Sequence, residues 1–406
     1  MHVIFVEPAF PRNQREFPRA LKSVGAKVTG IGERPVEYLD RELLSWMSEY
    51  IQIPSVCSES ALEDAVRKVQ AKSWVDRIES TVEAHTMPVA HIRERCEIPG
   101  TSTKTAYLCR DKPAMKEILS EAGVPCAQST GASSREEVRE FIDRVGYPVI
   151  LKPRDGAGAA GTFRANNDEE LEIAIEGSGV GQGIPTAVEE FIEGHEGFFD
   201  TITINGKIEH EFISHYYPGV LEAMRERWIS PQIVVTNRND SEDYSEVRAM
   251  CKKVIEVLEI GTSATHMEWF FGPKGLKFSE IGCRPPGVLV WDIYGAANDM
   301  DVYQEWANAI VHEKPGTQAS RNYAGGMIAL RPDCDGQIIG YEGAEEVQRE
   351  FASSIIDSHF PPVGTGTQGV EGGYMANAWM RLKHSDYDEL RRIMDHIGER
   401  VKVRAK

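Results

Sequence analysis

Glu268 and Glu280 flank Gly272-Pro273-Lys274-Gly275, a stretch with the composition of a tight turn between two apolar-rich segments. A three-residue turn at Pro273-Lys274-Gly275 would set the two carboxylates opposite one another in a hairpin over residues 266–281. Side chains opposed across a ladder project to one face, with Cβ atoms about 4.5–5.5 Å apart. Two carboxylates so placed repel unless a cation lies between them. Magnesium suits that position, since it takes hard oxygen ligands, often one or two carboxylates plus the phosphates of a substrate. A solvated acidic sheet face, or a register shifted by one residue, is the competing reading. His266 shares the face of Glu268, but no cysteine or histidine pattern accompanies it to suggest zinc. Arg284 follows Glu280 by four residues in Glu-Ile-Gly-Cys-Arg-Pro-Pro-Gly. Its guanidinium suits bidentate binding of a carboxylate or of a transferring phosphoryl group.

Two further clusters carry chemistry. Lys152-Pro153-Arg154-Asp155-Gly156-Ala157-Gly158-Ala159-Ala160-Gly161 offers backbone amides free to approach a polyphosphate, with Lys152 and Arg154 adding charge. It is not a Walker loop, because no Gly-Lys-Ser/Thr closes it. A flexible surface loop would have the same glycines; the lysine ending the preceding apolar run favours phosphate. In Val188-Glu189-Glu190-Phe191-Ile192-Glu193-Gly194-His195-Glu196, an extended backbone can meet an adenine edge. One carboxylate can accept from the exocyclic amine, and a second, past the Gly194 bend, from ribose hydroxyls. Acidic residues between apolar ones also mark solvated strands, so this cluster is weak alone.

The elements that must position these groups are legible from periodicity. Val3 to Val6, a helix near 15–23 closed by Gly25, and Val28 to Ile31 read as a parallel α/β unit. Glu7-Pro8-Ala9-Phe10-Pro11 stands where a dinucleotide glycine fingerprint would follow the first strand, so classical NAD binding is not expected. Ile98-Pro99-Gly100 reads as a boundary loop. Helices are expected over 113–121, from a capping box at Ser134/Glu137 to Val145, over 168–175 with Gly177 beyond, and over 246–258. Asn205-Gly206 marks a hairpin, since both turn positions favour positive φ. A helix near 302–311 and a last α/β module over 320–406, its closing helix capped near Ser385, complete the pattern.

Composition bounds the function. The 406 residues suggest two to three domains, and 41% apolar with 27% charged residues excludes disorder as the main state. The net charge of −18 argues against a general nucleic-acid binder, which needs a positive field. No apolar run approaches the roughly 20 residues of a membrane span, and the first residues lack the basic flank and apolar length of a secretory signal. Seven scattered cysteines without a Cys-x-x-Cys pair fit a reducing cytosol, so a cytoplasmic location is expected, with neither membrane nor nucleic acid as partner.

Taken in order, these clusters resemble the ATP-grasp superfamily, and more closely its carboxylate–amine ligases, such as the L-amino acid ligases. The resemblance covers most of the chain and implies an α/β fold with an α+β lid. A Rossmann-like pre-ATP-grasp domain would span residues 1–100 and the ATP-grasp domain 101–316. Within the latter, the lid would occupy about 126–197 and the metal-bearing part 198–316, with a C-terminal α/β module over 317–406. By resemblance, Lys112 and Lys152 match the two ATP lysines, and Gly156, Gly158 and Gly161 the flap over the phosphates. Glu189 matches the residue near the adenine amine, Ile192 the hinge backbone, and Glu196 the ribose ligand. Glu268 and Glu280 match the magnesium carboxylates, Arg284 the arginine that holds an acyl phosphate, and His266 a histidine at the site. One departure is Gly282, where many members carry an asparagine as a further metal ligand.

The implied reaction consumes ATP with Mg²⁺ (Mn²⁺ as an alternative), activates a small carboxylate as its acyl phosphate, and joins it to an amine. A homodimer is common among relatives. Biotin-carboxylase-like or purine-biosynthetic chemistry, and an ATP-binding regulator without turnover, are the rival readings.

Overall fold

The computed structural model describes residues 1–156 and 161–406; of the expected flap glycines, Gly158 lies outside the described residues. His2–Val6 is buried along its whole length, as an inner strand of a parallel sheet must be. It pairs in parallel with Lys27–Gly32 on one side and Arg77–Glu79 on the other, and Glu49–Gln52 extends the sheet. At the end of the first strand Glu7 adopts φ +56, and its carboxylate accepts from the Glu33 amide at 2.9 Å. That turn is built around an acidic side chain instead of glycines, as the sequence implies.

The N-terminal unit is fastened to the rest by aromatic packing. Phe17, on the helix Glu16–Ser23, lies 5.0–5.5 Å in centroid distance from Trp291, Tyr303 and Trp306 of the helices Val290–Asn298 and Val302–His312. Such contacts add about 0.5–1.5 kcal/mol each beyond area burial.

The lid is a four-stranded antiparallel sheet in the order Ser129–Ala132, Thr186–Glu190, Val149–Pro153, Phe163–Ala165. Helices Arg135–Val145 and Asp168–Ser178 cover it with Val138, Phe141, Leu171 and Ile175. Ser134 caps the first helix by accepting from the Glu137 amide, while Glu137 returns a bond to Ser133 N. The second helix runs past the expected end. Gly177 lies inside it, and Gly179, at φ +72, is the residue that closes it.

An eight-stranded sheet carries the acidic hairpin at one edge. Its order is Gly275–Gly282, Ser263–Gly272, His195–Ile204, Lys207–Tyr217, Gln232–Val235, Ala324–Leu330, Ala378–His384, Ile355–His359. Asn205 and Gly206 take φ +51 and +82, the conformation their hairpin requires. The last three strands come from the C-terminal segment, which extends this sheet through Gln232–Val235. Helix Tyr387–Arg400 packs on it, and its cap is Asp386, not Ser385, accepting from the Glu389 amide at 2.9 Å. Among the described residues no helix is long and apolar enough to cross a membrane.

Candidate active site

The acidic hairpin reaches the expected pairing by a different turn. Gly272 pairs with Gly275, so the turn has two residues, Pro273 and Lys274. A regular ladder from there would put Ser279 opposite Glu268. Instead the register slips by one after Trp269↔Phe278, and Glu268 faces Glu280.

The neighbouring strand adds to this face. Phe198 pairs with Glu268, Asp200 with His266, and Glu196 with Phe270. With side chains alternating, Glu196, Phe198 and Asp200 share the face of Glu268 and His266.

Cations arrive from two other elements. Lys112 opens the helix Lys112–Glu121, and its Nζ stands 3.4 Å from Glu280 Oε2 and donates to Gly156 O at 2.5 Å. Lys152, on the lid strand Val149–Pro153, places Nζ 3.7 Å from the same Glu280 oxygen and 2.9 Å from Glu189. Asp111 makes the two lysines converge. It caps the Lys112 helix through the Ala114 amide and clamps Arg154 with two bonds of 2.8 and 2.9 Å. Arg154 is therefore engaged in holding lid to helix.

Glu189 was expected beside an adenine amine. In the structure it lies between Lys152 and Lys116, whose Nζ is 2.7 Å from its other oxygen. Burial alone would raise its carboxyl, but the two ammonium groups outweigh this and hold it down at about 2. Burial lowers Lys116, with Glu189 offsetting part of the effect. Lys152 is raised, because Glu189, Glu280 and Glu268 outweigh its own desolvation. Lys116 was missed, although its spacing of four from Lys112 puts both on one helix face.

Ile192 is buried in the link between lid and central sheet, residues 191–194. Gly194, at φ +155, packs against the hairpin tip: a Cβ there would meet Phe271 O at 2.5 Å. The Lys274–Glu190 ion pair, 2.7 Å, fixes the tip to the lid strand from the other side.

Glu196 sits in an unusual environment for a ribose ligand. It is buried and accepts from the Val220 amide at 2.6 Å. Burial, and then the negative charge of Glu268, push its carboxyl up to about 8.

His266 donates from Nδ1 to Asp200 at 2.7 Å when charged, and its Nε2 lies 3.6 Å from Glu268. Burial works against the imidazolium, but Asp200 and Glu268 prevail and the group is raised to about 9. Tyr294 OH also donates to Asp200, at 2.5 Å. His266 is thus held by Asp200 beside Glu268; strand alternation signals Asp200, whereas Tyr294 comes from the helix Val290–Asn298, which the sequence did not predict.

Arg284 is bound to Glu83, which also meets Arg110 at 3.3 Å. Desolvation opposes the Arg284 charge, but Glu83, Glu280 and Glu268 outweigh it and raise the group. The loop after Arg284 holds Val288 at φ +58 and Leu289 at +53. Left-handed geometry costs roughly 1–2 kcal/mol per residue, a strain met here by burial of the following Val290 and Trp291. A Cβ on Gly282 would stand 3.5 Å from Glu83 Oε2, so Glu83 borders that position. Arg227, in the long loop after Tyr217, pairs with Asp335.

Glu83, Arg110, Lys112, Gly156, His266, Glu280 and Arg284 line one small cavity. Among the described residues no group of three or more histidine, cysteine, aspartate or glutamate side chains converges on one point. An all-oxygen pair such as Glu268 and Glu280 fits a hard divalent ion that takes its other ligands from phosphates and water.

Residues 117–297 match the family model of the ATP-grasp domain. The chain contains an ATP-grasp domain. Sequence relatives of the ATP-grasp chain include the L-arginine-specific L-amino acid ligase of Bacillus subtilis, 24% identical over 66% of this chain and 66% of that protein. Another is the alanine–anticapsin ligase of Bacillus subtilis strain 168, 26% identical over 52% of this chain and 48% of its own length. The chain thus aligns with about half to about two thirds of the length of these curated relatives. Among solved structures, the L-amino acid ligase of Bacillus licheniformis matches with a TM-score of 0.77 at 17% identity, covering 100% of this chain and 98% of that one. N5-carboxyaminoimidazole synthetase of Staphylococcus aureus, complexed with ADP, matches at 0.70 and 16% identity over 98% of this chain and 96% of its own. Mixed α/β architecture and ATP-grasp fold agree with the expectation from sequence, and the related proteins are ligases.

Proposed function

We propose that the protein is an ATP-dependent carboxylate–amine ligase that forms an amide or peptide bond between small molecules, releasing ADP and phosphate. The observation that carries this reading is the facing pair Glu268 and Glu280, with Lys112 and Lys152 both within 4 Å of Glu280 and Arg284 at the end of the same strand.

Glu268 and Glu280 would hold Mg²⁺ or Mn²⁺, which when bound offsets phosphate charge. Lys112 and Lys152 would neutralise the ATP phosphates, with Gly156 and Gly161 contributing backbone to their flap. Glu189, Ile192 and Glu196 would serve the nucleoside end. The substrate carboxylate attacks the γ-phosphorus of ATP, ADP leaves, and the resulting acyl phosphate is attacked by the amine with loss of phosphate. Phosphoryl transfer asks mainly for positioning and neutralisation, which lysines and arginine on rigid elements provide. Arg284 would leave Glu83 to hold the acyl phosphate, while His266 keeps Glu268 ionised and oriented. Closure of the lid, hinged at 191–194, would exclude the water that otherwise hydrolyses the intermediate.

The test is ADP release from ATP and magnesium with a panel of amino acids, singly and in pairs. Turnover that needs both a carboxylate and an amine is expected. ADP release with bicarbonate alone would instead favour the second reading, raised by the fold match to N5-carboxyaminoimidazole synthetase. Tight nucleotide binding without turnover under every mixture would leave a regulator.

A further inference from the structure

We propose that Cys109 and Cys283 are a peroxide-sensitive thiol pair whose disulfide ties the Lys112 segment to the Arg284 segment and lowers turnover. The two residues stand 174 apart in sequence, yet Cys283 Sγ donates to Cys109 Sγ at 3.2 Å. Both are free thiols, and neither has a part in the reaction above. A disulfide is about 2.05 Å long, so the sulfurs have only about 1 Å to close.

Their positions give the bond a consequence. Cys109 is the C-cap of the helix Thr103–Leu108, three residues before Lys112, and is buried. Cys283 follows the strand Gly275–Gly282 directly and precedes Arg284. A covalent link here would join the segments that carry Lys112 and Arg284, both of which line one cavity with Glu280. Arg284 must exchange Glu83 for substrate during the reaction, and a staple at the adjacent residue restrains that movement.

Access favours a small oxidant. Cys283 is half-buried and lies on the wall of a cavity of about 20 Å³ shared with Glu79, Thr81, Arg93 and Arg284. This is room for a molecule of about the size of water, so access favours hydrogen peroxide over a bulky organic disulfide. In the first step the Cys283 thiol takes one oxygen from hydrogen peroxide, giving a sulfenic acid and one water. The Cys109 sulfur then attacks the sulfenic sulfur, the S–O bond breaks, and a second water leaves with the Cys109 proton. Two thiols and one peroxide become one disulfide and two waters. The resolving thiol stands 3.2 Å away, which favours the link. Its hydrogen bond with Cys283 and its burial push the Cys109 thiol up, so it reacts slowly in the absence of the sulfenic acid beside it.

The effect on turnover rests on the ligase reading, whereas the cross-link does not. The reduced full-length protein would be treated with hydrogen peroxide and measured by intact mass, peptide mapping and ADP release. The expected result is loss of two hydrogens, a linked peptide joining Cys109 to Cys283, and turnover lowered on the order of tenfold. All three should reverse with dithiothreitol. Cys109→Ser and Cys283→Ser, each compared with itself before oxidation, should form no such link and keep their turnover. An unlinked pair after excess peroxide, oxygen added to Cys283 without a link, or a link that leaves turnover unchanged would each overturn the proposal. If no substrate mixture is turned over at all, mass and mapping still decide whether the pair forms.

Discussion

Glu268 faces Glu280 across a hairpin whose two-residue turn, left regular, would have paired Glu268 with Ser279; a one-residue slip between Phe278 and Glu280 restores the match. The slip concentrates negative charge at one point of the sheet, beside Lys112, Lys152 and Arg284. Glu280→Gln keeps the shape and the bulge while removing half of that charge. ADP release should fall by about 10²–10³-fold, the loss usual for one preorganised electrostatic group. Steady-state kinetics with circular dichroism checks this, and full activity with an unchanged spectrum would remove the metal-binding role.

Lys116 has a structural part that the reaction does not ask of it. It and Glu189 are both almost fully buried and 2.7 Å apart. Lys116→Met leaves Glu189 with Lys152 as its one ammonium partner, and breaking a buried pair from one side costs about 3–5 kcal/mol. Urea unfolding of Lys116→Met, Glu189→Gln and the double variant should show a double loss well below the sum. Additive losses, or a single loss under about 1 kcal/mol, would mean that the two side chains do not act as a pair.

Glu196 should make the metal-free protein less stable as pH rises. Its carboxyl is raised from an ordinary value of 4.5 to about 8 by burial and by Glu268, so between these values the folded state holds a proton that the unfolded state has lost. Unfolding free energy therefore declines from pH 4.5 to pH 8, by roughly 3 kcal/mol of this origin at neutral pH. Glu196→Gln keeps an acceptor for the Val220 amide without the charge. In protein freed of metal by a chelator, it should be more stable than the parent at pH 7.5 and equal to it near pH 4.5. Parallel stability–pH curves for the two proteins would show that Glu196 ionises freely.

Local signals were enough for most elements and for the order of the charged clusters. Asn205-Gly206 specifies its turn because both positions need positive φ, and Ser134 with Glu137 starts its helix by supplying acceptors for free amides. Where two residues offer similar local chemistry, the choice was misread: Gly177 for Gly179, and Ser385 for Asp386. The pairing of Glu268 with Glu280 was reached from a turn of the wrong length, because a bulge leaves no mark in hydrophobic alternation. Arg154 reads from sequence as added charge at the phosphate loop, and only the folded chain brings Asp111 to hold it.

The amino-acid sequence on its own determined which side chains exist to neutralise a polyphosphate and the periodicities that place them on strands or helices. Those depend on neighbours a few residues away, which a linear reading contains. Only the tertiary structure decided that Glu189 is shared by Lys116 and Lys152, that Glu83 occupies Arg284, and that Cys109 meets Cys283. Each of these pairs joins residues at least 37 apart in sequence, and their energies arise from burial and distance, which exist only after the chain has folded.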